Sequence, residues 1–349
     1  MAFNPKFTIT PKMNKALVEI ERVRGFLDAI RLKEDWFAEM QKKALILESH
    51  HSTHIEGTDL SLEQSRSILE GKKVKGVNRD DEKELLNYKK AMDILSKYLG
   101  RDDPVSKGIV REIHKITVKN VRGDQADPGN YRTIQNYVVN SLTREVIYTP
   151  PDPLLVPRLM QEFVDWLNKA GDISPVLIAG IAQFQFVHIH PFIDGNGRTA
   201  RLLSTLILYK TGYDFKRLFT ISEYYDKDRP NYYKAIQSVR YNNMDMTAWL
   251  EYFALGLRSQ MKEIQAKGEL LIKQDSQLQK IKKIGLTMRQ EKAVKHLIMK
   301  GKITVNEYQE VASCIRRTAQ RDLEDLVSKG VVKAVARNVI DPTRHYILV

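Results

Sequence analysis

The sequence predicts a mainly α-helical protein with one short β-hairpin and a separate, basic C-terminal domain. Three observations carry that expectation. Apolar residues recur at three- and four-residue spacing along most of the first 267 positions. One stretch, GDQADPGNYRTIQNYVVNSLTREVIYTPPDP, breaks that rhythm: β-type residues flank Asn140-Ser141 and prolines close it, which reads as a hairpin or extended flap over 133–148. The last quarter, 275–349, reads as helix, short polar link, helix, turn, helix and two β-rich runs, the order of a winged helix-turn-helix.

In chain order, the spacing predicts helices over Asn14–Ile30 and Glu34–Ser49, with Gly57 as a C-terminal stop. A lysine-rich connection, GKKVKGVNRDDEKE, leads into a helix that runs through Tyr98. Pro104 opens the next helical stretch. Helical patterning returns over Val156–Ala170, Pro175–Val187, Arg198–Lys210 and Asn231 to about Lys267, where a charged linker begins. The chain therefore divides into an N-terminal helical region (1–100), a core (101–267) and the C-terminal domain (275–349).

A length of 349 residues exceeds what one hydrophobic core usually serves. The hydrophobic fraction of 42% and charged fraction of 28% are ordinary for a globular chain. The first 20 residues hold no continuous apolar run that would read as a signal peptide. The most apolar stretches, 175–187 and 202–209, are too short to span a bilayer, so no membrane partner is expected. A single cysteine, Cys314, excludes an intrachain disulfide and suits a reducing cytoplasm. Of the net charge of +13, more than half lies in 271–349, with 10 Lys and 6 Arg against 8 acidic residues. That asymmetry fits a nucleic-acid or acidic-partner surface, and a solvated charged face accounts for it nearly as well.

The chemistry concentrates at HIHPFIDGNGRTARLL, residues 188–203. An apolar helix ends there, Pro191 pushes His190 toward extended backbone, and a new helix begins at about Arg198. Gly195 and Gly197 permit close approach of a ligand to main-chain N–H groups, and a glycine-containing loop feeding a helix start is an anion site. Arg198 and Arg201 share a helix face and can grip phosphate oxygens. Asp194 suits Mg²⁺, and His190 is a base that works near neutral pH. Base, metal ligand, anion cradle and cationic clamp together are the parts of nucleotidyl or phosphoryl transfer.

From His190 to Arg201 the chain resembles the Fic family, whose signature H-x-F-x-[DE]-G-N-G-R-x-x-R it matches without departure; the resemblance extends over roughly residues 40–260. It implies a Fic-type helical core and transfer of AMP from ATP to a Ser, Thr or Tyr hydroxyl of a target protein. By that resemblance His190 is the general base, Asp194 holds Mg²⁺, and Gly195, Asn196 and Gly197 form the anion hole. Arg198 and Arg201 then bind the β- and γ-phosphates, and Phe192 anchors the loop. The related Doc kinases carry lysine where this chain has Gly197, which favours nucleotidyl transfer over phosphorylation. The anion site reads phosphates and is largely blind to the base, so another nucleotide donor stands as an alternative.

Upstream, Ser52-Thr-His-Ile-Glu56-Gly57 fits the family's inhibitory pattern [ST]-x-x-x-E-[GN], on a helix over about 36–57. The resemblance implies that Glu56 pairs with Arg201 and removes a phosphate partner. His50, His51 and His54 on that helix read as a solvent-facing polar stripe; their spacing also suits a metal, with no fourth ligand in view. The flap would hold the target's backbone by strand addition. Tyr233 is the residue chosen for the adenine pocket. In the tail, Arg316, Arg317 and Arg321 near one helix face could contact DNA phosphates or guanine edges, although Asp322, Glu324 and Asp325 follow at once and blunt that face. A protein partner is the other use of such a module, and a homodimer is common in the family. The reading from a different class is a DNA-binding regulator whose Fic core senses nucleotide.

Overall fold

The computed structural model describes residues 3–30, 34–98, 103–121, 125–139, 143, 145–213, 217–282, 284–336 and 343–349. The chain forms two compact units, Met1–Gln265 and Ala266–Val349.

In the first unit, α1 (Pro11–Ala29) is capped by Thr10, whose hydroxyl accepts from the Met13 N–H, and it buries Met13, Ala16, Ile20, Val23 and Leu27 at helical spacing. Next come α2 (Glu34–Ile55), α3 (Leu62–Leu69), α4 (Arg79–Leu95) and α5 (Lys107–Val118). α3 escapes the periodicity reading, yet its start is spelled out: Ser61 and Gln64 form a reciprocal capping box. α5 begins after Ser106, whose side chain caps it, and Pro104 lies outside the helix.

The flap follows as β1 (Val138–Val139) and β2 (Val146–Tyr148), antiparallel and with a register shift between Val138 and Val139. Asn140-Ser141, the expected centre of the hairpin, lies outside the described residues. α6 (Val156–Leu167), α7 (Pro175–Ile189) and α8 (Asn196–Lys210) come next. α7 is buried nearly all round, which fits a helix with little amphipathic contrast placed at the centre of a core.

A short helix, α9 (Ile221–Lys227), precedes the helical stretch expected from Asn231 to Lys267, which is two elements, α10 (Arg229–Tyr241) and α11 (Thr247–Lys282). Between α10 and α11, Asn243 and Met244 take positive φ, and Met246 N–H donates to the Lys6 carbonyl at 2.8 Å. The N-terminal strand segment thus docks where the helix breaks. Beyond Lys267 the charged stretch continues as helix to Lys282 instead of forming a linker. Its Glu, Lys, Gln and Leu residues are good helix formers with no proline among them, and charge alone does not break a helix.

One hydrophobic cluster runs from Met13 to Ile264, so the regions drawn at 1–100 and 101–267 share a core. Among the described residues no helix is long and apolar enough to cross a membrane.

The second unit has α12 (Met288–Lys300), α13 (Val305–Ala312), α14 (Arg316–Ser328) and the antiparallel pair β3 (Val332–Val335) and β4 (His345–Leu348). Ile303 joins the edge of β4 through two backbone bonds with Tyr346. Its core is separate and includes Leu297, Tyr308, Leu323 and Val332. Arg316, Arg317 and Arg321 are all exposed on α14. Of the acidic residues behind them, Glu324 is exposed and Asp325 partly so, as expected of a blunted face, whereas Asp322 turns inward. Asp322 is 5% exposed and accepts from Arg289 and Tyr308, while Asp325 accepts from Gln290 and pairs with Lys329.

Candidate active site

The site is the loop between α7 and α8, and its backbone is set by a helix end. α7 stops at Ile189, and His190 adopts φ 50°, ψ 58°, with its N–H still donating to the Phe186 carbonyl. This corrects the expected extended His190. Pro191 disfavours right-handed helical geometry at His190, and closing the last turn of α7 selects the left-handed conformation instead. Such a residue without a glycine's freedom stores about 1–3 kcal/mol, and the surroundings must hold it.

They do. Arg132, 2% exposed, donates from Nε to the His190 carbonyl at 2.9 Å, from Nη1 to the Ile134 carbonyl and from Nη2 to the Pro151 carbonyl. Its own N–H donates to the Pro191 carbonyl at 2.9 Å. One guanidinium therefore joins both ends of the flap to the loop. His114, fully buried on α5, accepts from the Gly129 N–H at Nδ1, which puts its proton on Nε2, 3.0 Å from the Asp194 carbonyl. Its ring stacks on Phe192 at 3.6 Å between centroids. Burial pushes the His114 imidazole down to about 4, so it stays neutral.

Phe192 is fully buried, as an anchor should be. Asn196 exchanges two bonds with the Phe192 backbone, at 3.0 and 2.8 Å, and is 2% exposed. Its side chain thus closes the loop, leaving only its backbone to face an anion. Gly195 sits at φ 75° as the N-cap of α8, which starts at Asn196, two residues before the expected Arg198. A Cβ at Gly195 would meet Val118 Cγ1 at 2.5 Å, so the loop rests directly on α5.

The His190 ring is neutral and keeps one nitrogen as an acceptor. Nδ1 faces the Val187 carbonyl at 3.3 Å and donates to it, which leaves Nε2 with its lone pair. Burial pushes this imidazole down to about 4, and the cations Arg132 and Arg240 add to the effect. Asp194 is half-exposed; its Oδ1 accepts from the Gly195 N–H at 2.6 Å and its Oδ2 lies 3.6 Å from Arg198 Nη2.

Both motif arginines are buried and each meets a carboxylate from the N-terminal helices. Arg201, fully buried, donates to Ser52 Oγ, to the Ser52 carbonyl and to Glu56 Oε1, each at 2.8 Å. Burial alone would lower the Arg201 pKa, but the Glu56 carboxylate beside it raises it above the ordinary value. A Cβ on Gly197 would lie 2.1 Å from Glu56 Oε1. The carboxylate therefore occupies the start of α8, where free N–H groups and the helix dipole favour negative charge. Arg198 pairs with Glu84 of α4, which the sequence reading did not single out. Nothing local marks Glu84, Arg132 or His114, since each acts on residues 58 to 114 positions away.

Gly57, at φ 103°, turns the chain away after α2, and Glu56 is held on that turn. The histidines of α2 are not a solvent-facing stripe. His51 Nδ1 and His54 Nδ1 converge on Asp226 Oδ2 at 2.7 and 2.8 Å, and Arg229 donates to the His54 carbonyl. His50 is buried against Ser65, and burial pushes it down to about 4. Apolar spacing on α2 hides this contact, because its partners lie on α9 and α10. Tyr233 is half-exposed beside the buried Tyr232 on α10, within electrostatic reach of Glu56 and Arg201.

Residues 104–208 match a family model described as the Fic/DOC family. The chain is 35% identical over 202 residues to "Protein adenylyltransferase Fic" of Drosophila willistoni and 34% over 203 residues to that of Culex quinquefasciatus. In both cases the match takes in 57% of this chain and 39% of the relative, so the chain spans well under half the length of these curated relatives. A Fic family protein from Desulfovibrio desulfuricans G20 shares the fold, with TM-score 0.70, 21% identity and coverage of 99% of this chain and 98% of that one. Fic-1 (aa134–508) from C. elegans superposes with TM-score 0.61 and 26% identity, over 73% of this chain and 72% of that one.

Proposed function

We propose, from the Fic/DOC family domain that this chain carries, that it is a protein adenylyltransferase held in check by its own Glu56. The carrying observation is the Glu56 carboxylate seated on Gly197 and Arg201, an internal anion on the anion site of a loop that also presents a neutral histidine base. The names of the relatives support AMP transfer as the reaction.

In this reading the oxygen of a target Ser, Thr or Tyr attacks the α-phosphorus of ATP. His190 Nε2 takes the hydroxyl proton as the P–O bond forms, and the bond to pyrophosphate breaks. The backbone N–H groups of Gly195, Asn196 and Gly197 and the dipole of α8 face the phosphates, and Arg201 and Arg198 balance their charge. Asp194, half-exposed at the mouth of the loop, has the chemistry to hold Mg²⁺, which takes one or two carboxylates alongside substrate phosphates. When bound, that ion would neutralise phosphate charge as pyrophosphate leaves. Tyr233 lines the base pocket, and the flap edge receives the target backbone as an added strand. The inhibitory helix restrains the reaction because Glu56 must vacate Arg201 before the γ-phosphate can pair there. The reducing cytoplasm fits the lone Cys314.

Label from α-³²P-ATP should enter protein and label from γ-³²P-ATP should not, and His190→Ala should abolish incorporation. Label entering from γ-³²P-ATP and not from α-³²P-ATP would replace adenylyl transfer with phosphorylation.

One observation favours an added role for the second unit. Its three arginines at 316, 317 and 321 are exposed while Asp322 turns inward, which fits a winged helix whose α14 meets nucleic-acid phosphates.

A further inference from the structure

We propose that Glu84 is a positioning residue for adenylyl transfer: it holds the Arg198 guanidinium at the start of α8 and keeps it from closing on Asp194. This rests on the adenylyltransferase reading above.

The side chains of Glu84 and Arg198 are 1% and 2% exposed. A carboxylate and a guanidinium that deep persist only as a hydrogen-bonded pair, and Arg198 Nη1 donates to Glu84 Oε2 at 2.5 Å. α4, which carries Glu84, is itself fixed on both sides. Four residues on and on the same face, Tyr88 is fully buried and donates to Glu48 Oε1 of α2 at 2.9 Å. Asn87 Nδ2 donates to the Lys119 carbonyl at 2.8 Å, just past the end of α5, the helix that carries His114. Glu84 therefore sits on the same rigid frame as the loop it serves.

The other neighbour of Arg198 is the metal candidate. Nη2 lies 3.6 Å from Asp194 Oδ2, already within ion-pair range, and the Asp194 side chain is 44% exposed. Two carboxylates thus compete for one guanidinium. The buried one has no water to take the place of its partner, so it keeps Arg198; the exposed one is solvated and releases it at little cost. Asp194 stays available for a cation because Glu84 is there. Arg201 shows the opposite design, since its carboxylate partner Glu56 is 29% exposed and can leave into water. Arg198 Nε is buried without an acceptor, so the guanidinium retains a donor that Glu84 does not use.

The test is calorimetric ATP binding in a Glu56→Gly background, once with EDTA and once with excess Mg²⁺. The ratio of the two affinities is the gain from magnesium. Glu84→Gln keeps the shape and one acceptor oxygen but loses the charge, so Arg198 moves onto Asp194 and the gain should shrink about fivefold or more. In an Arg198→Gln background the same change should have no further effect. Glu84→Asp keeps the charge and should preserve the gain. A folded Glu84→Gln protein with an unchanged gain overturns the inference, as does an equal loss in the Arg198→Gln background. If Glu84→Gln does not fold, Glu84→Asp decides: a shrunken gain there also overturns it. Absence of ATP binding by Glu56→Gly under both conditions sinks the adenylyltransferase reading itself, and this inference with it.

Discussion

Glu56 Oε1 lies so close to Gly197 that the two positions cannot be varied independently. A Cβ at 197 would fall 2.1 Å from that oxygen, so Gly197→Ala must displace the carboxylate. In the wild type the change should therefore destabilise by about 1–3 kcal/mol, because the displaced carboxylate leaves the buried Arg201 short of an acceptor. In a Glu56→Gly background the clash is gone, and alanine in a helical position should be neutral or stabilising. Thermal melting of the four proteins checks this, and an equal penalty in both backgrounds would contradict the contact. At this scale the sequence is informative wherever the chemistry is local. His190, Asp194, Gly195, Gly197, Arg198 and Arg201 could be chosen from spacing and residue type, and Glu56 from the resemblance to the Fic family's inhibitory pattern. The residues that hold them could not: Arg132, His114 and Glu84 look like ordinary members of helix and loop segments, and their partners lie far along the chain. The backbone of His190 was misjudged for a related reason, since a local rule for residues before proline yielded to the need to close α7.

Among the elements, periodicity located the helices that bury one face and failed where helices meet polar partners. Apolar spacing carries α2 only to Ser49, because the residues after it are Ser, Thr and His; the helix runs to Ile55, just short of the expected stop at Gly57, with Ser52 facing Arg201 and two of the histidines facing Asp226. Those contacts pin the last turn of α2 on both sides and leave Glu56 at its tip. α11 outruns its expected end for the opposite reason, as a charged but strongly helix-forming stretch needs no buried face to continue. α14 gives this scale its prediction. With Arg316, Arg317 and Arg321 exposed together, the chain should bind duplex DNA with an affinity that falls steeply with salt. Glu at all three positions should abolish that binding while leaving AMP incorporation intact. Binding absent at low salt, or unaffected by the triple change, would leave α14 to a protein partner.

For the whole molecule, four histidines in the first unit share one property. His50, His114, His188 and His190 are each pushed down to about 4, in every case with burial as the largest cause. The unfolded chain takes up these protons near pH 6.5, whereas the folded chain resists until about 4. Their contribution to stability is therefore complete above pH 6.5 and is lost as pH falls toward 4, at up to about 1.4 kcal/mol per pH unit for each proton. The melting temperature should drop steeply between pH 6.5 and 5, and His114→Gln should flatten that slope. A flat profile across this window would show that these rings are solvated. Global burial of this kind is not legible in a sequence, where a buried histidine and a surface one look alike. The arrangement of a helical core, a hairpin and a second basic unit was legible, because periodicity and its interruptions extend over many residues.

In the proposed function, a loop competent for adenylyl transfer is restrained by the single carboxylate of Glu56. The most direct measurement is the initial rate of label incorporation from α-³²P-ATP at saturating nucleotide, for wild type, Glu56→Gly and Glu56→Gly/His190→Ala. Wild type should label weakly, Glu56→Gly at a rate at least about tenfold higher, equivalent to about 1.4 kcal/mol, and the double variant not at all. Equal rates for wild type and Glu56→Gly would contradict the restraint, and labelling that survives in the double variant would contradict the chemistry.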